Sequence, residues 1–493
     1  MYRLVFYILI ALVSISIISS FLGFISYTPL SIFASTLFIL IISWAANTLF
    51  AYFFEAPTNV ESVYITALIL ALIISPATTS SEYIFLGWAA IIAMASKFIL
   101  AIGKKHIFNP AAVALVITLY VLGESASWWV GTAVLAPFVL MSGFLNIRKL
   151  RFEDLAWSFF MTFITTSLAI TLFKGGDILN TLNQIVFHSS LLFMGSIMVT
   201  EPLTLPPTKK LQIFYGCIIG LLSVPQFHIG SLYFAPELAL CIGNVFAYIV
   251  SPKIKLTLLL QEKIHVSSDI VDFIFKPDQK LSFLPGQYME WTLAHPHTDN
   301  RGNRRYFTLA SSPTEDTIRL GVKFYQDGSS YKNAMYNLNS TTNIIGAQRA
   351  GDFTLPKDAT KKLVFIGGGI GITPFRSILK YLVDMKQKRD IVLFYVNKTA
   401  DEIVYKDVFD DAQMSLSIKT IYALTDKEHI PENWYGKIGR IDATMIASEV
   451  PDFKDRTYYL SGPHSMVTAY EKVLQEMGVK NEQIKKDFFP GLT

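Results

Sequence analysis

The chain has 493 residues, 52% of them hydrophobic and 16% charged, with a formal net charge of +4. So small a surplus excludes nucleic acid as a partner, and the only cysteines, Cys217 and Cys241, exclude a disulfide framework and a four-thiolate iron–sulfur cluster within one chain. Charge is unevenly spread: residues 1–250 hold 10 Lys and Arg with 9 Asp and Glu, and residues 251–493 hold 32 and 29.

The first half therefore reads as membrane-embedded and the second as soluble. Ten apolar runs follow one another at residues 4–22, 30–54, 63–75, 83–102, 111–122, 128–145, 156–173, 187–199, 211–224 and 232–250. A helical span needs about 20 residues, so the shorter runs borrow flanking residues or are broken helices. The first run starts after Arg3 and lacks a small-residue cleavage site, so it is kept as a span. With the N-terminus inside, the inner loops collect Arg3, Lys104, Lys105, Arg148, Lys149, Arg151, Lys209 and Lys210, leaving Lys174 outside. This predicts a multi-pass protein of the bacterial inner membrane whose soluble half lies in the cytoplasm.

Two of the runs match. "ALILALIISPATTS" (67–80) and "LLFMGSIMVTEPLTL" (191–205) each end in a polar residue, a proline, one residue and a threonine, aligning Pro76 with Pro202. Five spans separate them, and an odd number inverts the second copy, which predicts an inverted repeat of five helices plus five. Such repeats build sites at interrupted helices. Lys97, inside the fourth span, either faces a partner or cavity or snorkels toward Lys104. Glu201 raises the same choice between a site and a plain helix end at Pro202.

The stretches "SKFILAI" (96–102), "HIFNPAAVALV" (106–116) and "VTEPLTLPPTKKLQIFYG" (199–216) resemble the membrane flavoprotein family containing the B subunit of the sodium-pumping NADH:quinone oxidoreductase and the D subunit of the Rnf complex. The resemblance implies ten helices in inverted repeats and a flavin, FMN or riboflavin, carrying electrons through the bilayer. It makes Lys97, Asn109, Thr200, Glu201 and Thr204 candidates for a membrane flavin or ion site. The family has Thr-Asp-Pro where this chain has Thr200-Glu201-Pro202. Its covalent FMN hangs from the threonine of a Ser-Gly-Ala-Thr motif that does not occur here; "SWWVGTAVL" (127–135) offers Thr132 instead, as an anchor or as a helix-lining threonine.

Residues 251–356 carry short alternating runs such as "IVDFIFK" and "TIRLGVKFY", which predict a small antiparallel barrel. Residues 357–493 alternate strands with helices, predicting a doubly wound parallel sheet. The loop "GGGIGITPF" (367–375) joins a strand to a helix, so bare backbone at Gly367, Gly368, Gly369 and Gly371 can approach a pyrophosphate on the helix N-terminus, at Thr373 and Pro374.

In order and spacing, "RRYFTLASSP" (304–313), "GSSYKNAMYNL" (328–338), "GDFTLP" (351–356), "SGPHSMV" (461–467) and "DFFPGL" (487–492) resemble the ferredoxin-NADP reductase family across residues 255–493. The resemblance implies FAD and NAD(P)H. In the stretch Arg305-Tyr306-Phe307-Thr308 it places Arg305 on an FAD phosphate, Phe307 against the isoalloxazine and Thr308 near its N5. It assigns Gly328, Ser329 and Ser330 to the diphosphate, and the 367–374 loop with Ser461, Gly462 and Pro463 to the nicotinamide dinucleotide. Phe489 falls where relatives stack an aromatic ring on the flavin, so Thr308, Ser461 and Phe489 are the candidate catalytic residues. Lys398, Asp401 and Glu402 mix both signs of charge where NADH and NADPH are told apart.

Read together, the halves predict an oxidoreductase that takes hydride from cytoplasmic NAD(P)H onto FAD and passes electrons through a membrane flavin to an extracytoplasmic flavoprotein or quinone. On this reading the breaks at Pro76 and Pro202 open flavin pockets and Glu201 tunes or ion-couples the inner one. The alternative is a redox-driven ion pump or transporter. A haem-bearing reductase is disfavoured because His106, His188 and His228 lack paired spacing, and no metal site is expected.

Overall fold

The computed structural model describes residues 2–54, 60–102, 105–150, 152–229, 232–251, 255–295, 299, 303–325, 328–340 and 342–487. The chain divides into two compact units, Met1–Ser251 and Pro252–Thr493.

The first unit is helical: α1 (Tyr2–Phe21), α2 (Pro29–Phe53), α3 (Val60–Ile73), α4 (Ser80–Ile99), α5 (Pro110–Leu122), α6 (Ala136–Leu150), α7 (Glu153–Phe173), α8 (Ile178–Phe187), α9 (Lys209–Leu222) and α10 (Pro236–Val250). Among the described residues, four helices are long and apolar enough to cross a membrane: α2, α4, α7 and α1 from Arg3. α3, α5, α8 and α10 are apolar but shorter. The run at 187–199 is not one helix. α8 ends at Phe187, and Leu191–Phe193 then passes into a π-helical turn at Met194–Met198. The run at 128–145 becomes helical only at Ala136.

The reason for that late start is the break before Pro76. When α3 stops, its last carbonyls need donors. The 127–130 segment supplies them: Trp128 N–H donates to Ile73 O (2.9 Å), Val130 N–H to Leu72 O (3.2 Å), and the Trp129 indole to Ala71 O (3.0 Å) and Ile74 O (2.9 Å). At the second break Asn146 Nδ2 (2.8 Å) and Thr200 Oγ1 (3.0 Å) both donate to Ser196 O.

A further repeat emerges that the sequence hides. α4 is followed by a two-residue antiparallel hairpin (Ala101–Ile102 with Lys105–His106) and a helix opening on Pro110. α9 is followed by a matching hairpin (His228–Ile229 with Leu232–Tyr233) and a helix opening on Pro236. Each half thus ends helix, hairpin, proline-started helix.

The second unit contains two sheets. β1 (Lys255–His265), β2 (Ile270–Pro277), β3 (Tyr288–Thr292), β4 (Arg304–Thr308), β5 (Ile318–Lys323), α11 (Ser330–Tyr336) and β6 (Asn343–Ala350) come first. The strands form an antiparallel sheet in the order β4-β3-β6-β1-β2-β5 over a core around Trp291, Phe273 and Phe275. Its edge strands β4 and β5 are not paired with each other among the described residues.

Next come β7 (Leu363–Gly368), α12 (Thr373–Asp384), β8 (Ile391–Asn397), α13 (Lys406–Leu416), β9 (Lys419–Leu424), β10 (Lys437–Ile438), α14 (Ala443–Glu449), β11 (Thr457–Ser461), α15 (His464–Glu476) and β12 (Ile484–Asp487). They build a parallel sheet in the order β10-β9-β8-β7-β11-β12.

α12 fastens the parallel sheet to the antiparallel one. Arg376 is buried and forks onto Glu315, with Nη2 2.8 Å from Oε1 and Nη1 on Oε2; Nη1 also donates to Ala310 O (2.9 Å). Ser377 Oγ donates to Ser311 O (2.5 Å). Tyr405 Oη donates to buried Asp272 (2.8 Å), which Arg319 also meets (3.0 Å). Burial works against the Glu315 charge, but Arg376 holds its carboxyl below the usual range.

Candidate active site

β4 lies at a sheet edge, and alternation along it splits the motif between two faces. Arg305 and Phe307 turn toward α11: the guanidinium lies 5.0 Å from the Tyr331 ring centre, and the Phe307 ring 6.2 Å from it. Tyr306 points the other way, donating to Glu290 (2.9 Å) and packing edge-on against Tyr288. Ser329 caps α11 by accepting from Lys332 N–H (3.2 Å). Beside it Asp299 accepts from Ser330 N–H (3.1 Å) and lies 3.7 Å from Arg305. A carboxylate thus occupies the anion position that Arg305 and the 328–330 turn create, which is the donor set a diphosphate requires. Lys332 adjoins it; burial, then Arg305, lowers its pKa to about 8.

The nucleotide loop stands at the carboxyl end of β7. Gly369 adopts a left-handed conformation (φ 53°). Gly371 lies so close to the next loop that a Cβ there would come within 2.5 Å of Gly462 Cα. Strand register puts Gly367 beside Ser461 and Ser461 beside Asp487. Thr308 Oγ1 donates to Asp487 Oδ2 at 3.5 Å, joining the β4 motif to the end of the parallel sheet.

Asp487 is therefore a site residue that motif reading missed, although it opens the terminal "DFFPGL". Burial pushes its carboxyl up to about 7, with the Thr308 hydroxyl pulling the other way. Phe489 lies outside the described residues.

Comparison with known proteins bears on this site. Residues 257–348 match the oxidoreductase FAD-binding domain and residues 365–472 the oxidoreductase NAD-binding domain. The second unit carries FAD- and NAD-binding oxidoreductase domains of the ferredoxin reductase type. A flavohemoprotein from Oceanobacillus iheyensis is 28% identical over 238 residues, 46% of this chain and 57% of that protein. One from Bacillus subtilis is 29% identical over 240 residues, 47% and 58%. The chain thus spans less than two thirds of these relatives. Among solved structures, the flavohem-like FAD/NAD-binding domain of nitric oxide dioxygenase from Vibrio cholerae is 21% identical at a TM-score of 0.42, covering 48% of this chain and 98% of that one.

In the reductase module the close approach at Gly371 makes a sharp prediction. Gly371→Ala must push the 461–463 loop away, and the KM for NAD(P)H is expected to rise about tenfold or more, with FAD content unchanged. Steady-state kinetics with a soluble artificial acceptor checks this.

The first unit gathers a second set of polar groups. Glu201 follows the π-helical turn and faces the first hairpin and the start of α5: His106 Nε2 lies 3.3 Å from Oε1, and Asn109 Nδ2 donates to Oε2 (3.0 Å). Thr204 Oγ1 is 3.5 Å from Oε2. Asn109 also caps α5 through Ala112 N–H (3.1 Å) and is tied to α10 by donating its N–H to Asn244 Oδ1 (2.8 Å). Thr200 accepts from Asn146 Nδ2 (3.2 Å). Lys97 turns to α3, donating to Ser62 O (2.9 Å) and Oγ (3.2 Å). Thr132 is apart from this group, before α6, with a buried hydroxyl that makes no hydrogen bond among the described residues.

A cavity of about 50 Å³ adjoins Glu201, lined among others by Ser62, Asn109, Asn146 and Thr200. A flavin-sized ligand needs roughly 300 Å³ or more. The space beside Glu201 suits water or a small ion.

Proposed function

We propose that the protein is a membrane-embedded, NAD(P)H-dependent flavoprotein oxidoreductase that moves electrons from the cytoplasm to an acceptor at or beyond the membrane, an extracytoplasmic flavoprotein or quinone. The observation that carries the reading is the combination, in one chain, of a ferredoxin-reductase-type module with an apolar helical unit. Support for an inverted-repeat transport architecture comes from the two broken helices and the two hairpin-plus-helix endings. The likeness to the membrane flavoprotein family belongs to this proposal, as do the ten-span topology, the cytoplasmic placement of the module, and the domain limits 1–250, 251–356 and 357–493.

In the module, Arg305, Ser329, Ser330 and Phe307 would hold FAD, and Gly367, Gly368, Gly369, Gly371, Thr373, Pro374, Gly462 and Pro463 the dinucleotide. Bound FAD supplies the conversion of a hydride into single electrons. Thr308 and Asp487 position a hydroxyl and a carboxyl between the two cradles, and Ser461 borders them. A membrane flavin, FMN or riboflavin, belongs to the proposal away from Glu201, with Thr132 as the candidate attachment point. Flavin released from detergent-purified protein tests this: FAD plus a second flavin in comparable amount supports it, and FAD alone after gentle purification removes the membrane flavin.

A second reading, a redox-driven ion pump or transporter, is favoured by the small cavity beside the Glu201 carboxyl, which is sized for an ion or water.

The raised Asp487 value has a consequence for stability. Between its ordinary value near 3.8 and about 7, the folded chain keeps a proton that the unfolded chain has lost. The unfolded state then binds fewer protons, so stability falls as pH rises through that window and is flat on either side. Asp487→Asn is expected to remove this slope. Thermal release of FAD fluorescence, followed from pH 4 to 8 in both proteins, checks it.

A further inference from the structure

Gly321 on β5 stands opposite Asp272 on β2, so the two positions share one face of the antiparallel sheet. On that face Gly321 is a notch. A Cβ there would lie 2.6 Å from Tyr405 Oη, 2.9 Å from Ile370 Cδ1 and 3.2 Å from Thr373 Cγ2. Tyr405 immediately precedes α13, whereas Ile370 lies in the glycine loop and Thr373 opens α12. The missing side chain thus lets the Tyr405 hydroxyl reach across β5 and donate to Asp272 Oδ1 (2.8 Å).

Tyr405 is held there against its own preference. It is buried and its backbone is left-handed (φ 60°), a conformation that is costly for a bulky side chain and persists where the surroundings over-determine it. Asp272 is one restraint, itself met by Arg319 (3.0 Å). Burial raises the Asp272 carboxyl, but a carboxyl oxygen accepts the phenol proton in either protonation state. The Arg376 guanidinium, 5.5 Å from the ring centre, is a second restraint. Three residues earlier Glu402 pairs with Lys323, two positions after Gly321 on β5 (2.7 Å). The segment leaving β8 is therefore pinned to β2 and β5, strands of the other sheet.

We propose that Gly321 and Tyr405 are positioning residues for the dinucleotide: through this notch the antiparallel sheet sets where the 367–374 loop holds NAD(P)H relative to the flavin. Ile370 transmits the position, because its Cδ1 rests against β5 while Gly369 and Gly371, on either side of it, form the cradle. The inference rests on reading that loop as the dinucleotide cradle.

The test is rapid anaerobic mixing of the full chain, FAD-loaded and in detergent, with increasing NADH or NADPH while flavin absorbance is followed. Gly321→Ala drives a methyl against a hydroxyl that Asp272 pins, and should raise the dinucleotide concentration for half-maximal flavin reduction about tenfold, with FAD content unchanged. Tyr405→Phe removes that hydroxyl. Alone it should raise the same concentration about threefold, and combined with Gly321→Ala it should bring the value below that of Gly321→Ala alone. Because it adds no volume, Tyr405→Phe carries the test where Gly321→Ala does not fold. A merely structural junction would cost thermal stability or FAD and leave the concentration dependence of the surviving holoprotein as in the parent, which would overturn the proposal. So would losses that simply multiply in the double variant. Gly371→Ala, run alongside, separates the two claims. A shift there with none in the other two variants removes the positioning and leaves the cradle; no shift there removes the cradle reading and the inference with it.

Discussion

Arg376→Ala is expected to lower the thermal midpoint of the reductase module by on the order of 10 °C. Arg376 is buried, and its removal strands Glu315, which is left accepting from Ser312 N–H (2.6 Å). It also removes the cation facing the Tyr405 ring at 5.5 Å and exposes the Ala310 carbonyl to the loss of its donor. Breaking one side of a buried pair costs about 3–5 kcal/mol because the remaining charge stays desolvated. Arg376→Met paired with Glu315→Leu removes both charges and should recover most of the loss, since the cost lies in the orphaned partner. Thermal unfolding followed by released FAD fluorescence checks the series. A single variant as stable as the parent would show that the two sheets are not fastened through α12.

Arg305→Ala is expected to lower FAD affinity by at least about tenfold. The guanidinium is held over Tyr331 and next to Asp299, so its place at the 328–330 turn is fixed before any ligand arrives. Charge-assisted hydrogen bonds contribute about 1.5–3 kcal/mol each, which is roughly a factor of 10 to 150. Arg305→Lys keeps the charge without the planar fork and should fall between. The ratio of flavin to protein absorbance after purification, with titration of FAD into the depleted variant, reads the effect. A variant retaining full FAD would move the phosphate site away from β4.

The reductase module was largely legible because its signals are local. Glycines at a strand–helix joint, the Arg305-to-Thr308 motif and the alternation of apolar runs all act over a few residues. Asp487 was not legible as a partner of Thr308, because 179 residues separate them and only the register of β11 with β12 brings the carboxyl to β4. The antiparallel sheet was legible in the alternation of its strands, but alternation says nothing about whether the outermost two, β4 and β5, pair.

The helical unit was legible in its apolar runs and its two prolines. The two-residue hairpins escaped because no periodicity shows in so short a strand. The late start of α6 escaped because Ser127, Trp128, Trp129 and Val130 are spent on the carbonyls of α3, some 55 residues earlier, a long-range backbone demand that apolarity does not record. Glu201 was legible as a placed carboxylate; that it borders a small cavity depends on packing alone.

The most direct measurement uses sealed vesicles containing the purified protein, with the reductase module facing outward and a membrane-impermeant electron acceptor trapped inside. Added NAD(P)H cannot enter. Electron passage through the first unit predicts that the trapped acceptor is reduced on NAD(P)H addition, at a rate abolished by Arg305→Ala. Oxidation of NAD(P)H by external acceptors alone, with the trapped acceptor untouched, would contradict the account and leave the helical unit without an electron-carrying role.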